Sequence, residues 1–494
     1  MTSDSDETKK PDSPQPPDGL WLICPICKQP NPAGTEYCKH CWGASLHSVV
    51  AVTKQEADDF AKQWMKTKKR RPIKRVLFYV LVPLILLLAA GFLYLYSYTD
   101  LIFGPIPQMN SNSFSDDWAM FRNNLERSGS ADIGSTPPQG KVEWSFQTGG
   151  EIHSSPAVAD GVVYFGSQDQ KFYAVDAATG EMRWEFQTGS VINSSPAVVN
   201  GVVYFGSNDG YFYALDATNG HELWVFKTIY PVESSPSVAN GRVFFGGEDD
   251  YVYCLDAKKG TQLWKFKTQS WVTSSPAVAN GIVYISSGDG SFYALNASDG
   301  RFRLKFNTYT GGIQSSPAVN NREVYFSIRG ALYALNGQGR TWPWEDFIRP
   351  LWLQLWVIGL APAPPPISGS PQEIGLLIDP NTPRLGMVTY SDGTPIVADG
   401  NIYTTGDNLV YSIDKVTHQF QWVFQTQDNI ESSPCLANNV LYVGCIDGNL
   451  SAINTQNGTK LWDFVPGSAI TSSPAYSDGV IYVGSNDGKI YAIK

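Results

Sequence analysis

Apolar and polar positions alternate with a period of two through most of the chain, in short runs cut by tight turns. Val202-Val-Tyr-Phe205 and Tyr211-Phe-Tyr-Ala-Leu215, punctuated by Asn200-Gly201 and Asn208-Asp-Gly210, predict strands joined by hairpins. The pattern repeats. A Ser-Ser-Pro string brings proline to 156, 196, 236, 276, 317, 434 and 474, a spacing of 40 or 41 residues within each uninterrupted run. Each unit holds four apolar segments, as in Ser194-Ser-Pro-Ala-Val, Val-Val-Tyr-Phe, Phe-Tyr-Ala-Leu and Leu-Trp-Val-Phe, which is one four-stranded propeller blade. Proline has no amide to donate, so Ser-Ser-Pro belongs at the start of the innermost strand. Seven clear starts and a degenerate one at Asp392-Gly-Thr-Pro395 predict an all-β, eight-bladed β-propeller over residues 116–494. The last unit stops at Lys494 without its Trp strand, and Val142-Glu-Trp-Ser-Phe146 precedes the first unit, so the two should complete one blade and close the ring.

The first hundred residues follow other periods. Residues 1–19 are polar and Pro-rich, with too little apolar surface to fold. Over 20–48, Cys24-Pro-Ile-Cys27 and Cys38-Lys-His-Cys41 form two knuckles, whose thiolates suit a tetrahedral structural zinc site, with His40 and His47 as bystanders. A redox reading is weaker, because that chemistry uses one such pair on a thioredoxin-like unit. Residues 49–75 form a juxtamembrane basic stretch: Thr53 and Glu56 have the spacing of a capping box, and Lys66–Arg75 carries seven Lys/Arg. An apolar run without charge then fills 76–98, enough for one transmembrane helix. The basic flank puts the N-terminus in the cytoplasm and the propeller outside, beyond a linker at 99–115.

Between the repeats, Ala174, Asp176, Gly180 and Trp184 recur as Ala214, Asp216, Gly220 and Trp224. This pattern resembles the tryptophan-docking motifs of the pyrroloquinoline-quinone (PQQ) alcohol dehydrogenase propellers and of the barrel-assembly lipoprotein of the bacterial outer membrane. The resemblance implies a propeller whose outer Trp ties one blade to the next. It also raises a quinone-dependent oxidoreductase using PQQ and calcium, with a Cys-Cys pair against the quinone. No adjacent cysteines occur in this sequence, and Cys254, Cys435 and Cys445 stand where sister repeats carry Ala or Ser. One interruption, 345–391, breaks the period. It holds an apolar run from Phe347 to Leu360 too short to span a membrane, and it is read as an insertion: an interfacial anchor, a lid, a partner-binding element or simple packing on the propeller's side.

Charge narrows the partners. Residues 1–99 sum to +4 and residues 100–494 to −14, so the repeat region repels phosphate and nucleic acid is excluded as its partner. The residue ahead of each Ser-Ser pair varies while the repeat stays constant: His153, Asn193, Glu233, Thr273, Gln314, Glu431 and Thr471. They should ring the mouth of the inner strands, as ligand-rim candidates or as freely varying solvated positions. Asp169, Asp209, Asp289, Asp447 and Asp487 fall at turns that favour aspartate for backbone reasons, which ranks calcium low. The expected function is a single-pass, membrane-anchored, non-catalytic binding module for an extracytoplasmic protein, glycan or small ligand. The alternatives are the PQQ oxidoreductase and a transmembrane sensor with the zinc ribbon as its cytoplasmic output.

Overall fold

The computed structural model describes residues 19–41, 44–98, 118–131, 136–307, 312–313, 315–328, 331–341, 351–354, 356–357, 372–376 and 393–494. The polar tail, the linker at 99–115, Gln314 and most of 345–391 lie outside them. The chain divides into two compact units, Met1–Tyr94 and Leu95–Lys494.

In the first unit, strands Leu20–Ile23, Pro30–Pro32 and Ala51–Thr53 form a small sheet with Leu20–Ile23 in the centre. A helix follows over Lys54–Tyr98, longer than the sequence pattern alone defines. Its start is the expected capping box: the Thr53 amide donates to Glu56 Oε2 at 2.9 Å and the Glu56 amide to Thr53 Oγ1 at 3.4 Å. The helix contains the stretch 76–98, but many of its side chains from 67 to 98 are outside the description. Among the described residues no helix is long and apolar enough to cross a membrane. Residues 81–89 present nine consecutive exposed side chains, all apolar, with Leu87 at 69%.

In the second unit the described strands make eight sheets, seven in chain order from an inner to an outer strand and the eighth completed by a strand from the beginning of the unit. The first contains Ala157–Ala159, Val162–Gly166, Lys171–Asp176 and Met182–Gln187. The second to fourth begin at Ala197, Ser237 and Ala277, the fifth to eighth at Ala318, Ile396, Cys435 and Ala475. Asn200 and Gly201 show why the first hairpin is so tight: both have positive φ, +53° and +73°, as a type I′ turn requires. The middle strands are buried on both faces because sheets stack on sheets. Phe172 lies 4.2 Å from Phe205 and Phe212 lies 4.2 Å from Phe245, centroid to centroid, across successive interfaces.

The ring closes as the sequence predicts. Val142–Gln147 pairs antiparallel with Lys489–Ile493 as the outer strand of the eighth sheet, and Lys141 and Lys494 exchange two backbone hydrogen bonds of 2.9 and 2.8 Å. The outer tryptophans clasp each next sheet. Trp184 Nε1 donates to Ala217 O at 2.9 Å, and its ring lies so close to Gly220 that a Cβ there would stand 2.6 Å away. Trp144, Trp224, Trp264, Trp422 and Trp462 repeat the arrangement on Gly180, Gly260, Gly300, Gly458 and Gly140.

The fifth sheet differs from the sequence expectation. Its outer strand is Gln372–Leu376, paired with Ala331–Asn336, so part of the 345–391 stretch is a strand of the ring. Residues 351–354 and 356–357 are helical. Nothing in this stretch forms a ninth sheet among the described residues.

Candidate functional site

The constant residues of the repeat are used up in holding the ring. The second serine of each Ser-Ser pair receives a hydrogen bond from the sheet before it: Ser155 N–H donates to Ser195 Oγ at 2.9 Å, Ser195 to Ser235 and Ser235 to Ser275 at 3.0 Å, and Ser473 back to Ser155 at 2.8 Å. The first serine works both ways, Ser194 Oγ donating to Ser234 O while accepting from Gly206 N–H. Four of the five turn aspartates are equally committed, while Asp447 accepts the Asn449 amide. Asp169 accepts the Lys171 amide, the Tyr173 hydroxyl and the Gly149 amide, and Asp209 accepts the same set from Tyr211, Tyr213 and Gly189. These oxygens are therefore already engaged by backbone and phenol donors.

The axis of the ring is occupied by residues 118–131, a feature the repeat pattern does not reveal. Backbone carbonyls of Trp118, Ala119, Leu125, Glu126 and Gly129 accept amides of Val158, Val198, Val278, Val319 and Leu436, capping the free edges of five inner strands. Two buried arginines extend this. Arg122 donates to Thr394 O, Pro395 O and Pro434 O at 2.7, 2.9 and 3.4 Å. Arg127 donates to Ser235 O, Pro236 O and Pro276 O, all at 3.0 Å. Desolvation lowers both guanidiniums to about 9, repulsion from Arg122 adding to the effect on Arg127, so both remain cations at neutral pH. Nothing in the sequence marks these two arginines, since backbone carbonyls are their partners.

The sequence-predicted rim residues lie at one end of the inner strands, and the structure joins some of them. Asn193 Nδ2 donates to Glu233 Oε1 at 2.9 Å; so does Asn208 Nδ2. Gln168 Nε2 donates in turn to Asn193 Oδ1, so one chain of amides and a carboxylate crosses three sheets. His153 Nε2 is paired with Glu151 at 2.8 Å, and Thr471 Oγ1 donates to Asn486 Oδ1 at 3.1 Å. Thr273 is half-buried, Glu431 is exposed, and Gln314 lies outside the described residues. Two further columns of the repeat also face this mouth, those of Glu151 and of Gln168. The backbone bonds Gln168 N to Glu151 O, Glu248 N to Pro231 O and Gly288 N to Trp271 O show the two columns side by side. Glu248 is thus a rim carboxylate, and burial together with nearby Glu233 holds it above the ordinary glutamate range.

The three cysteines of the ring are buried and free, Cys254 in the third sheet and Cys435 and Cys445 in the seventh. Burial pushes the Cys254 thiol up to about 12 and raises Cys435 and Cys445, so none is a ready nucleophile.

A second chemical cluster lies in the first unit. The Sγ atoms of Cys24, Cys27, Cys38 and Cys41 are all within 4.8 Å of one another, with Cys24 to Cys41 at 3.6 Å and Cys27 to Cys38 at 3.4 Å. Four sulfurs at tetrahedral Zn–S distances would be separated by about 3.8 Å, so the cluster could hold a metal ion. The buried Asn31 amide donates to Cys38 Sγ, as does the His40 amide, each at 3.4 Å. Burial alone would raise Cys38, but N–H donors from His40, Cys41 and Asn31 outweigh it and bring the thiol down to about 6. Such donors are the second layer that steadies a thiolate ligand.

This architecture defines a class: an all-β ring of four-stranded antiparallel sheets clasped by tryptophans, as in β-propellers of the PQQ-like repeat type. The repeat family described as outer membrane protein assembly factor BamB matches residues 131–234, 230–348 and 354–494, and the chain belongs to it. Among similar proteins, the quinohemoprotein alcohol dehydrogenase ADH-IIG of Pseudomonas putida is 30% identical over 19% of this chain, a match that spans only 15% of that relative. Among solved structures, the quinohemoprotein alcohol dehydrogenase of Comamonas testosteroni superposes with a TM-score of 0.62 at 15% identity, covering 76% of this chain and 80% of that one. BamB of Moraxella catarrhalis gives 0.54 at 16% identity, covering 72% and 97%.

Proposed function

We propose that this chain is a membrane-anchored, non-catalytic binding scaffold. Its eight sheets are the blades of an eight-bladed propeller outside the cytoplasm, its helix is a single transmembrane anchor, and its four-cysteine module is a structural zinc ribbon inside. The observation that carries the scaffold reading is the division of labour in the repeat. Constant serines, prolines, aspartates and tryptophans are consumed in building the ring, while the variable residues form a cross-sheet polar network at its mouth, where Glu233 is held by two amides. A rigid frame presenting varied polar side chains is the arrangement of a recognition surface. The anchor is supported by the exposed apolar residues 81–89, since a helix apolar all round belongs in lipid, and its orientation by the seven cations of Lys66–Arg75.

The relatives favour a second reading, a PQQ-dependent oxidoreductase. The residues present do not fit that quinone, which carries three carboxylates. Glu151, Glu233, Glu248 and Glu431 line the mouth. Like charges at that spacing repel, and no reaction step is derived for it.

Photo-cross-linkers placed at Glu431 and Thr471 of the full-length membrane protein test the scaffold reading. They should capture an extracytoplasmic partner that a cross-linker at Leu223 on an outer strand does not. Stoichiometric uptake of added PQQ and calcium with dye-linked alcohol oxidation would overturn it. One zinc per chain by metal analysis, lost on Cys38→Ser, tests the ribbon, and labelling of Thr471→Cys by an impermeant thiol reagent on intact cells tests the orientation.

A further inference from the structure

One corner of the mouth, where the second, third and fourth sheets meet, is built differently from the rest. Glu233 and Glu248 are neighbours there. Two amides fix Oε1 of Glu233 at 2.9 Å, which turns the carboxylate to a set direction, and Glu248 is half-buried beside it with its carboxyl held up by burial and by that neighbour. The amide of Val272 donates to Gly247 O at 3.1 Å, which puts Trp271 next to Glu248. Trp271 rests on Gly288, where a Cβ would stand 2.5 Å from the indole. Sister turns carry Gln168, Asn208 and Asn486 at that place, so the glycine is what lets the ring lie over the turn and stay half-exposed. The adjoining loop raises Ile229 and Tyr230, 75% and 58% exposed.

Two carboxylates, an accessible indole and two apolar tips sit together, and the lysines of the adjoining outer strands are drawn elsewhere. Lys227 lies 5.5 Å from the Tyr211 ring and Lys267 5.8 Å from that of Tyr251. A carboxylate pair with no cation partner among the described residues favours a cation from outside, and an aromatic face beside it strengthens that preference.

We propose that this corner is a docking surface for a segment of a partner protein that presents a lysine or arginine between apolar side chains. This rests on the scaffold reading and names the chemistry of its partner. The cation would lie between Glu233 and Glu248 against Trp271, with the apolar neighbours on Ile229 and Tyr230. Charge complementarity selects the cation, and the spread of apolar surface selects a polypeptide over a small amine, which would leave both tips uncovered.

Fluorescence anisotropy with the full-length protein in detergent tests it. The probe is a short labelled peptide with one arginine between two leucines, beside versions carrying lysine, glutamine or glutamate at the centre, with agmatine as a competing small amine. The arginine and lysine peptides should bind, and the glutamine peptide roughly tenfold or more weakly. Glu233→Gln, Glu248→Gln and Trp271→Ala should each weaken the arginine peptide to a similar degree, whereas Glu222→Gln on an outer strand should not. Thermal melts of each variant separate loss of binding from loss of fold, and Trp271→Phe should retain most of the binding.

Equal binding of the glutamine peptide, or binding indifferent to Glu233→Gln combined with Glu248→Gln, overturns the proposal. So does agmatine displacing the peptide at the peptide's own concentration, which would make the site one for a small organic cation. Failure of every peptide to bind, while rim cross-linkers still capture a partner, overturns the cation assignment and leaves the scaffold reading standing.

Discussion

Among the described residues, six junctions of the ring carry a tryptophan clasp and two do not, and those two are adjacent. At the junction of the fourth and fifth sheets the clasp position is Leu304, and at the junction of the fifth and sixth the outer strand is Gln372–Leu376, without an aromatic residue. The reason is visible in the turn that should receive the ring. At the clasped junctions a turn such as Asp216-Ala-Thr-Asn-Gly220 sets a glycine under the indole; the fifth sheet has Asn336-Gly-Gln-Gly-Arg340 and the sixth Asp414-Lys-Val-Thr-His418, with arginine and histidine at that place. The bond from Tyr284 Oη to Gly337 O at 3.2 Å is kept from the regular junctions, where Tyr164 and Tyr204 make it to Ala217 O and Ala257 O, and Lys415 bridging Glu323 and Asn320 at 3.0 Å each adds a contact between the fifth and sixth sheets. The axial segment also reinforces this side, since Glu126, Arg122 and Gly129 bond the fifth, sixth and seventh sheets. A closed ring can thus accept an irregular blade, provided contacts from the axis and between faces replace the rim-to-rim clasp.

The sharpest way to break this comparison is to remove a clasp from the regular side. Trp224→Ala deletes a ring that packs on Gly260 and a hydrogen bond of 3.0 Å to Ala257 O, and should lower stability in denaturant melts by about 3–5 kcal/mol. A loss below about 1 kcal/mol would mean that the stacked faces alone join the sheets. The converse experiment installs a clasp where the turn cannot receive it. Leu304 is fully buried, so Leu304→Trp should destabilise by about 1–3 kcal/mol through overpacking. A gain in stability would show that the turn at Arg340 accepts an indole after all.

How much of this was legible without the structure follows from where each contact is encoded. The clasp is local chemistry repeated many times, so Trp, Gly and the turn aspartate announce it, and closure follows from counting segments at the two ends. Arg122 and Arg127 announce nothing, because their partners are backbone carbonyls 108 to 312 residues away, which any residue supplies. The fourth strand of the fifth sheet is hidden for a related reason: Gln372–Leu376 joins by main-chain pairing with a register shift, and its side chains carry neither alternation nor Trp. At the mouth, the variable column of His153 and its equivalents was readable. The coupling of Glu233 to Glu248 and Trp271 needed two more columns that only the folded turns bring alongside.

The weak side should also open first. The sixth sheet buries Thr405 Oγ1, Asp407 Oδ1 and Ser412 Oγ without a hydrogen-bond partner among the described residues, whereas the first and second sheets contribute only Asn208 Oδ1. Amides of Asn401–Asp414 should therefore exchange with an opening free energy about 1–3 kcal/mol below those of Val202–Asp216, measured by native-state hydrogen exchange. Equal protection would show that the axial segment fully compensates for the missing clasps.

The smallest effect, and the most specific, concerns Asp407. Burial raises its carboxyl above the ordinary aspartate range, so the folded ring holds this proton more tightly than the unfolded chain does. Stability from this group is therefore present below the unfolded value of about 3.9 and is lost as pH rises through the raised folded value. Asparagine keeps the shape, and it tolerates the left-handed backbone at this position, φ +50°. Asp407→Asn should accordingly melt like the parent near pH 3.5 and later than it near pH 7, with the gain confined to the fifth and sixth sheets in exchange experiments. A variant less stable than the parent at neutral pH would mean that the ionised carboxylate has a partner on this side of the ring, and that the irregular junction is held by charge.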